Sequence, residues 1–197
     1  MAYLLITYKD GTGQRGSGAF VSDKVVLTSG HLLHDLNKGW ATSVTVIPGG
    51  TLSNFSSATT NRVASVNGWV DNRSVDYDYG AVILNNSLGT GSLGVSVKTD
   101  SDLRNIGLIG NYGYPGDKPS GTLWYSSGVL STVLLRTFCH DIDTYYGSSG
   151  SPVVAMNNYH DIIGVHHGQS PLSADKNIAT RVTSDMVDFI NRRINES

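Results

Sequence analysis

The chain has 197 residues, enough to bury a sizeable core in one domain or in two small halves packed as one. Hydrophobic residues make up 39% and charged residues 15%, with 23 glycines, which excludes a disordered tail or a coiled coil and points to a turn-rich globular protein. The net charge of −2 is spread over mixed signs without any Lys/Arg block, so nucleic acid and anionic membrane surfaces drop out as partners.

Cys139 is the only cysteine, which rules out an intrachain disulfide and paired-cysteine zinc sites. The opening MAYLLITYKDG holds an apolar run too short for a signal-peptide core or a membrane span. From there the chain offers short β-type runs in succession: YLLITY, GAFVS, KVVLTS, SVTVI, RVASV and GAVIL, then GLIGNYGY, TLWYSSGVL, PVVAM, DIIGVHH and IATRV. Connections such as KDGTG, PGGTLSN, NNSLGTGS and YPGDKPSG are Gly/Asn/Pro turns. This spacing predicts an all-β barrel or sandwich rather than alternating β and α. A break in VSVKTDSDL, residues 95 to 103, divides the chain into halves at 1–98 and 99–197. The last segment, TSDMVDFINRRINES, predicts one helix, with Thr183 or Ser184 as cap, Val187, Ile190 and Ile194 on one face, and Arg192 and Arg193 at the negative end of the dipole.

Three stretches carry residues suited to chemistry. DTYYGSSGSPVV sets Ser148, Ser149 and Ser151 in a glycine-rich turn that runs into a β-branched pair. A serine hydroxyl is a weak nucleophile and needs a base, a group that orients the base, and donors for the oxyanion it generates. VVLTSGHLLHD puts His31 at the end of an apolar strand, and VDYDYGAVIL puts Asp78 just before another. Asp71 and Asp76 compete with Asp78. Each stretch alone reads as an ordinary turn or a structural residue. His34, three residues after His31, has no third ligand at metal-site spacing and reads as a solvated turn residue. Cys139 and His140 are neighbours on a strand and would face opposite sides, which argues against a cysteine nucleophile and leaves Cys139 to packing. His140 and His160 read as structural or exposed.

Taken in order, TSGH, DYGAVIL and GSSGSP resemble the chymotrypsin-like serine peptidases, and GSGAFVSDKVVLTSGHLL, GYPGDKPSGTLWYSSG, IIGVHH and ATRVTSDMVDFI extend the resemblance to the bacterial glutamyl endopeptidases over nearly the whole chain. The resemblance implies two six-stranded antiparallel β-barrels with a C-terminal helix, forming a single functional unit. It implies a triad of His31 as base, Asp78 as its orienting acid and Ser149 as nucleophile, and an oxyanion hole from the N–H groups of Gly147 and Ser149. These roles follow the handed-down template of that triad. Thr144 and His166 match the family's specificity-pocket residues, and His167, Gly168 and Gln169 would offer backbone groups to an extended substrate.

The implied activity is endopeptidase cleavage through an acyl-enzyme after Glu, with Asp as a second choice. No metal or organic cofactor is implied, the partners are protein or peptide substrates, and the chain is expected to be a secreted monomer. Asp143, six residues before Ser149, keeps open a trypsin-like pocket for Arg or Lys. A binding module that kept the fold and lost catalysis is the contrasting class. Two departures stand out: the chain starts almost at its first strand, without the short extension that supplies a free amine near the pocket, and Ser148 precedes the nucleophile where the group often has Asn or Gln.

Overall fold

The computed structural model describes residues 1–51, 53–156 and 161–197; His160 lies outside the described residues. Eight strands form the first sheet: β1 (Ala2–Tyr8), β2 (Gly13–Phe20), β3 (Val25–Thr28), β4 (His34–Asp35), β5 (Gly39–Pro48), β6 (Ala58–Thr60), β7 (Val63–Ser65) and β8 (Gly80–Ile83). Their order is β4-β5-β1-β2-β3-β8-β7, with β6 also on β5. The second sheet contains β9 (Gly94–Val95), β10 (Leu108–Gly113), β11 (Trp124–Val133), β12 (Thr137–His140), β13 (Pro152–Ala155), β14 (Asp161–Gln169) and β15 (Asn177–Arg181). It runs β13-β10-β11-β12-β15-β14, and the pairing of β13 with β14 closes it into a six-stranded barrel to which β9 adds in parallel. Two antiparallel β-barrels are therefore present, as expected. The strand β9, before the expected boundary at residue 98, already belongs to the second sheet.

Period-two patterning explains where the cores sit. On β1, Leu4, Ile6 and Tyr8 are buried while Leu5 is 42% exposed, a strand with one wet face. By contrast, β3, β8 and β13 are buried on both faces. On β3, Val26 points into the core of the first barrel with Leu4, Ile6, Phe20 and Val82. Val25 and Leu27 point the other way, into a cluster with Ala81, Val154, Ile162, Val165, Met186, Phe189 and Ile190. Val153, Ile163, Ile109 and Phe138 fill the second barrel. The middle cluster is the seam between barrels, and each side chain of Val, Leu or Ile size buried there stabilises by roughly 1.5–3 kcal/mol. The strands that end at His31, Asp78 and Ser149 are thus among those held from both sides.

Among the described residues there are four helices, α1 (Gly30–Leu33), α2 (Asn67–Val70), α3 (Asp100–Arg104) and α4 (Ser184–Asn195), with a 3-10 turn at Val75–Tyr77. Thr183 is the cap of α4, its side chain accepting from the Met186 N–H. The buried face of α4 centres on Met186, Phe189 and Ile190, with Val187 and Ile194 at its margins, so it docks on the seam. Strand β12, TFCH, has no counterpart among the apolar runs read from the sequence: its polar residues Thr137 and His140 are buried with Phe138 and Cys139. His34 is not a solvated turn residue. It sits half-buried on β4, its Nδ1 2.7 Å from Arg73 Nη1 and its ring 4.7 Å from that of Trp40. Burial, and then the Arg73 charge, hold its pKa below the usual histidine range.

Candidate active site

The register of β3 against β8 brings the first two residues together. Thr28 pairs with Gly80, so His31, three residues beyond β3, and Asp78, two residues before β8, lie at the same end of neighbouring strands. His31 starts from a backbone that needs glycine beside it: a Cβ on Gly30 would stand 2.9 Å from two ring atoms of Trp69 and 2.8 Å from Ser65 Oγ. Asp78 closes the 3-10 turn and has no solvent exposure, whereas Asp71 and Asp76 are exposed. Its Oδ2 is 2.7 Å from His31 Nδ1, and its Oδ1 accepts the His31 backbone N–H at 2.7 Å. Two donors from one residue fix both the ring's tautomer and its plane.

Burial alone would push the Asp78 carboxyl up, but the His31 charge and the N–H donors of His167 and His31 hold it well below the usual carboxylate range. For His31, desolvation is outweighed by the facing Asp78 carboxylate, and its pKa lies above the ordinary histidine value. A third donor was not foreseen in the sequence. His167 sits on a bulge in β14, where the pairing with β15 slips between His166 and Gly168, and the bulge aims its Nδ1 at Asp78 Oδ2, 2.5 Å away. The rings of His31 and His167 meet edge to face with centroids 5.1 Å apart. Only a backbone role was expected of His167; a histidine doublet after an apolar strand carries no signal that a bulge will turn one of them around.

The serine loop decides among its three candidates by burial. Ser151 is fully buried and bonded to Ser148 O and to Asn111, and Ser148 is 3% exposed. Ser149 faces the cleft, with its Oγ donating to the carbonyl of His167 at 3.1 Å. The loop turns through Gly147 and Gly150, at φ of 99° and 81°. A Cβ on Gly147 would stand 2.5 Å from Tyr114 O, and one on Gly150 2.1 Å from Thr28 Oγ1, so both positions exclude side chains by space as well as by backbone angle. The Tyr146 carbonyl accepts from the Gly116 N–H at 2.5 Å. A trans peptide sets its N–H opposite its carbonyl, and the Gly147 N–H is therefore turned away from Gly116. Among the described residues, neither that N–H nor the Ser149 N–H has a partner.

Residues of the first barrel grip this loop. Ser17 N–H donates to Ser149 O at 2.9 Å, Ser17 Oγ donates to Gly147 O at 2.7 Å and accepts from Tyr114 N–H, and Ser29 Oγ donates to His166 O. None of these small hydroxyl residues was singled out in the sequence, because serine in a β-run looks like any surface position.

A cleft of about 540 Å³ runs past Ser149, lined by His31, Thr144, His166 and His167 among others. Among the described residues, the β13 ladder on β14 ends at Val165, and His167, Gly168 and Gln169 line the cleft, the His167 carbonyl accepting from Ser149 Oγ. His166 is 2% exposed, its Nδ1 3.3 Å from Nε2 of His140, a residue that is itself fully buried rather than exposed. Burial lowers the pKa of both; His140 falls to about 4. Asp143 is exposed and lines a neighbouring cavity with Asp117, Lys118 and Trp124 instead of the cleft. Cys139 is buried and free, with Ser170 Oγ 3.4 Å from its sulfur, consistent with packing.

A double antiparallel barrel with a histidine, a buried aspartate and a serine on a glycine loop at its seam defines the class of trypsin-like peptidases. The family model for the trypsin-like peptidase domain matches residues 16–165, and the chain belongs to that family. It is 31% identical over 201 residues to a protein of Bacillus subtilis named extracellular metalloprotease, covering 98% of this chain and 63% of that one. It is 32% identical to the glutamyl endopeptidase of Bacillus licheniformis, covering 87% and 57%. The chain thus spans less than two thirds of these relatives' length. The structure of a Glu endopeptidase in complex with MPD superposes with a TM-score of 0.81 at 24% identity, covering 96% of this chain and 88% of that one, a likeness of fold.

Proposed function

We propose that the protein is a serine endopeptidase that cleaves after Glu, and secondarily Asp, through an acyl-enzyme. The observation that carries this reading is His31 bonded to Asp78 in a cleft also lined by Ser149 and Gly147, whose N–H groups have no partner among the described residues. For reaction the Ser149 hydroxyl leaves the His167 carbonyl and donates to His31 Nε2, the ring nitrogen that Asp78 does not use. The base takes the hydroxyl proton as Oγ attacks the substrate carbonyl carbon. The oxyanion forms against the N–H groups of Gly147 and Ser149, and His31 returns the proton to the leaving amine. Water then repeats the sequence on the acyl-enzyme, and Asp78 stabilises the imidazolium in both halves.

The preference for an acid rests on His166 and Thr144. Among the described residues, His140 Nδ1 is buried without a partner. A buried N–H left alone is rarer than a buried acceptor left alone, which favours the tautomer with a bare Nδ1 and an Nε2–H donated to His166 Nδ1. His166 then carries its own proton on Nε2, a donor for a carboxylate in the pocket, with the Thr144 hydroxyl beside it. The exposed position of Asp143, outside the cleft, supports this reading over a pocket for Arg or Lys. The intact set of His31, Asp78, Ser149 and Gly147 supports an enzyme over a binding module.

The metal named for the Bacillus subtilis relative requires a separate test of fit. Ligand-capable atoms of His31, Asp78 and His167 lie within 4.8 Å of one another. A tetrahedral zinc ion about 2.0 Å from each donor holds those donors about 3.3 Å apart, yet Asp78 Oδ2 is 2.7 Å from one Nδ1 and 2.5 Å from the other. Those are proton-sharing distances, and the three residues do not fit an ion. We infer a secreted monomer acting on proteins or peptides; among the described residues no helix is long and apolar enough to cross a membrane.

A fluorophosphonate probe is expected to label the wild type and not Ser149→Ala; persistent labelling of the variant would remove Ser149 from its role. Digestion of a peptide library, with mass spectrometry of the new C-termini, is expected to show Glu at the ends. Termini in Lys or Arg would reinstate Asp143. In His166→Leu the Glu preference should collapse while labelling of Ser149 persists.

A further inference from the structure

The cleft has a second wall whose charge the acyl-side reading leaves unused. Besides β14, Thr144 and His166, the lining of the cleft includes Gln14, Arg15 and Leu32 of the first barrel, and Tyr146. Arg15 lies on β2 opposite Leu5 of β1, and its side chain is exposed. Its Nη2 is 3.0 Å from where a Cβ on Gly116 would stand, and Gly116 is the residue whose N–H holds the Tyr146 carbonyl. The guanidinium thus lies beside Gly116, which holds the peptide between Tyr146 and Gly147. Among the described residues Arg15 has no ion-pair partner: the nearby Asp117 is paired with Lys118 at 2.9 Å.

We propose that Arg15 forms a subsite for a carboxylate on the leaving-group side of the scissile bond, at the first or second residue after it. This rests on the peptidase reading above. A substrate whose acyl part pairs with the edge at His167–Gln169 and whose scissile bond lies on Ser149 continues along the rest of the cleft lining, which includes Arg15 and Tyr146. Arg offers a planar fork of N–H donors that matches a carboxylate in two contacts, and an unpaired one at a cleft wall raises the local concentration of acidic substrates. The carboxylate can be an Asp or Glu side chain or a chain terminus released as the leaving fragment. An exposed pair of this kind is worth up to about fivefold in kcat/KM and is screened by salt.

The test uses peptides with Glu before the bond and Asp, Gln or Lys at each of the two positions after it, as C-terminal amides. A further pair ends two residues after the bond as free acid or amide. The readout is the ratio of kcat/KM for acid over Lys, and for free acid over amide, in wild type, Arg15→Ala and Arg15→Glu, each checked for folding by fluorophosphonate labelling. We expect the wild type to favour acid, Arg15→Ala to lose the preference, Arg15→Glu to reverse it, and 1 M salt to flatten it, as the Debye length falls to about 3 Å. Which series responds identifies a side chain or a terminus as the source. Equal ratios in all three proteins, or none in the wild type, would overturn the subsite while leaving Glu cleavage standing. Cleavage that tracks Arg15 but follows residues other than Glu would sink the acidic pocket and uphold the subsite. No cleavage of any peptide would remove both.

Discussion

Asp78 is the residue on which most of the site converges. Its carboxylate receives the backbone N–H and Nδ1–H of His31 and the Nδ1–H of His167, in a place without solvent. A hydrogen bond to a buried charge is worth about 1.5–3 kcal/mol, so His167→Leu should lower kcat by roughly 10- to 100-fold. The sign of its pH effect is also determined. With one donor fewer the carboxylate becomes a stronger acceptor toward His31, whose pKa already sits above the ordinary value. The acid limb of kcat/KM should therefore move to higher pH in His167→Leu and return toward wild type in His167→Asn, which keeps a donor. A merely structural role for His167 would reduce the amount of active protein without moving that limb.

At the scale of elements, the decisive piece is the loop from Tyr145 to Ser151 and the strands that clamp it. Ser17 on β2 binds both Gly147 O and Ser149 O, so the orientation of a second-barrel loop is set by a first-barrel strand. Gly147→Ala would drive a methyl group to 2.5 Å from Tyr114 O at a backbone angle unfavourable to alanine. Relief requires the peptide before it to turn, and the N–H turns with it. Loss of one oxyanion donor costs about 10²- to 10³-fold in kcat, and steady-state kinetics should find a loss of that order with KM little changed. The thermal midpoint should fall as well, because Gly147 is buried and Ser17 clamps the loop. A variant of normal kcat would mean that Gly147 supplies no donor.

Across the whole molecule, two buried histidines couple stability to pH. In the unfolded chain His140 and His166 take up protons near pH 6.5; in the fold His140 stays neutral down to about 4 and His166 also titrates well below its usual value. Between those limits the unfolded state binds more protons, so stability falls as pH falls. His31 works in the opposite direction, its contribution being present below pH 6.5 and lost as pH rises through its raised pKa. Asp78, with a depressed pKa, loses its contribution only at lower pH still. Urea denaturation should give a lower midpoint at pH 4.5 than at pH 7, with about 2–3 kcal/mol of the difference due to His140. His140→Phe should shrink that difference; an unchanged one would assign the acid sensitivity elsewhere.

The all-β class and the terminal helix were legible in local pattern, short apolar runs between turns and a capped amphipathic end, whereas the two barrels and the serine–histidine–aspartate set were expected from the resemblance that TSGH, DYGAVIL and GSSGSP carry. Four things depended on contacts between distant residues. Burial of Ser148 and Ser151 leaves Ser149 facing the cleft, and burial sets Asp78 apart from the exposed Asp71 and Asp76. Asp143 was separated from the cleft by the path of its loop, and a bulge in β14 turned His167 onto Asp78. A residue's type and neighbours in sequence set what chemistry it can do. Which face of a strand it occupies, and which strand lies across from it, set whether it meets a partner, and only the packed barrels fix that.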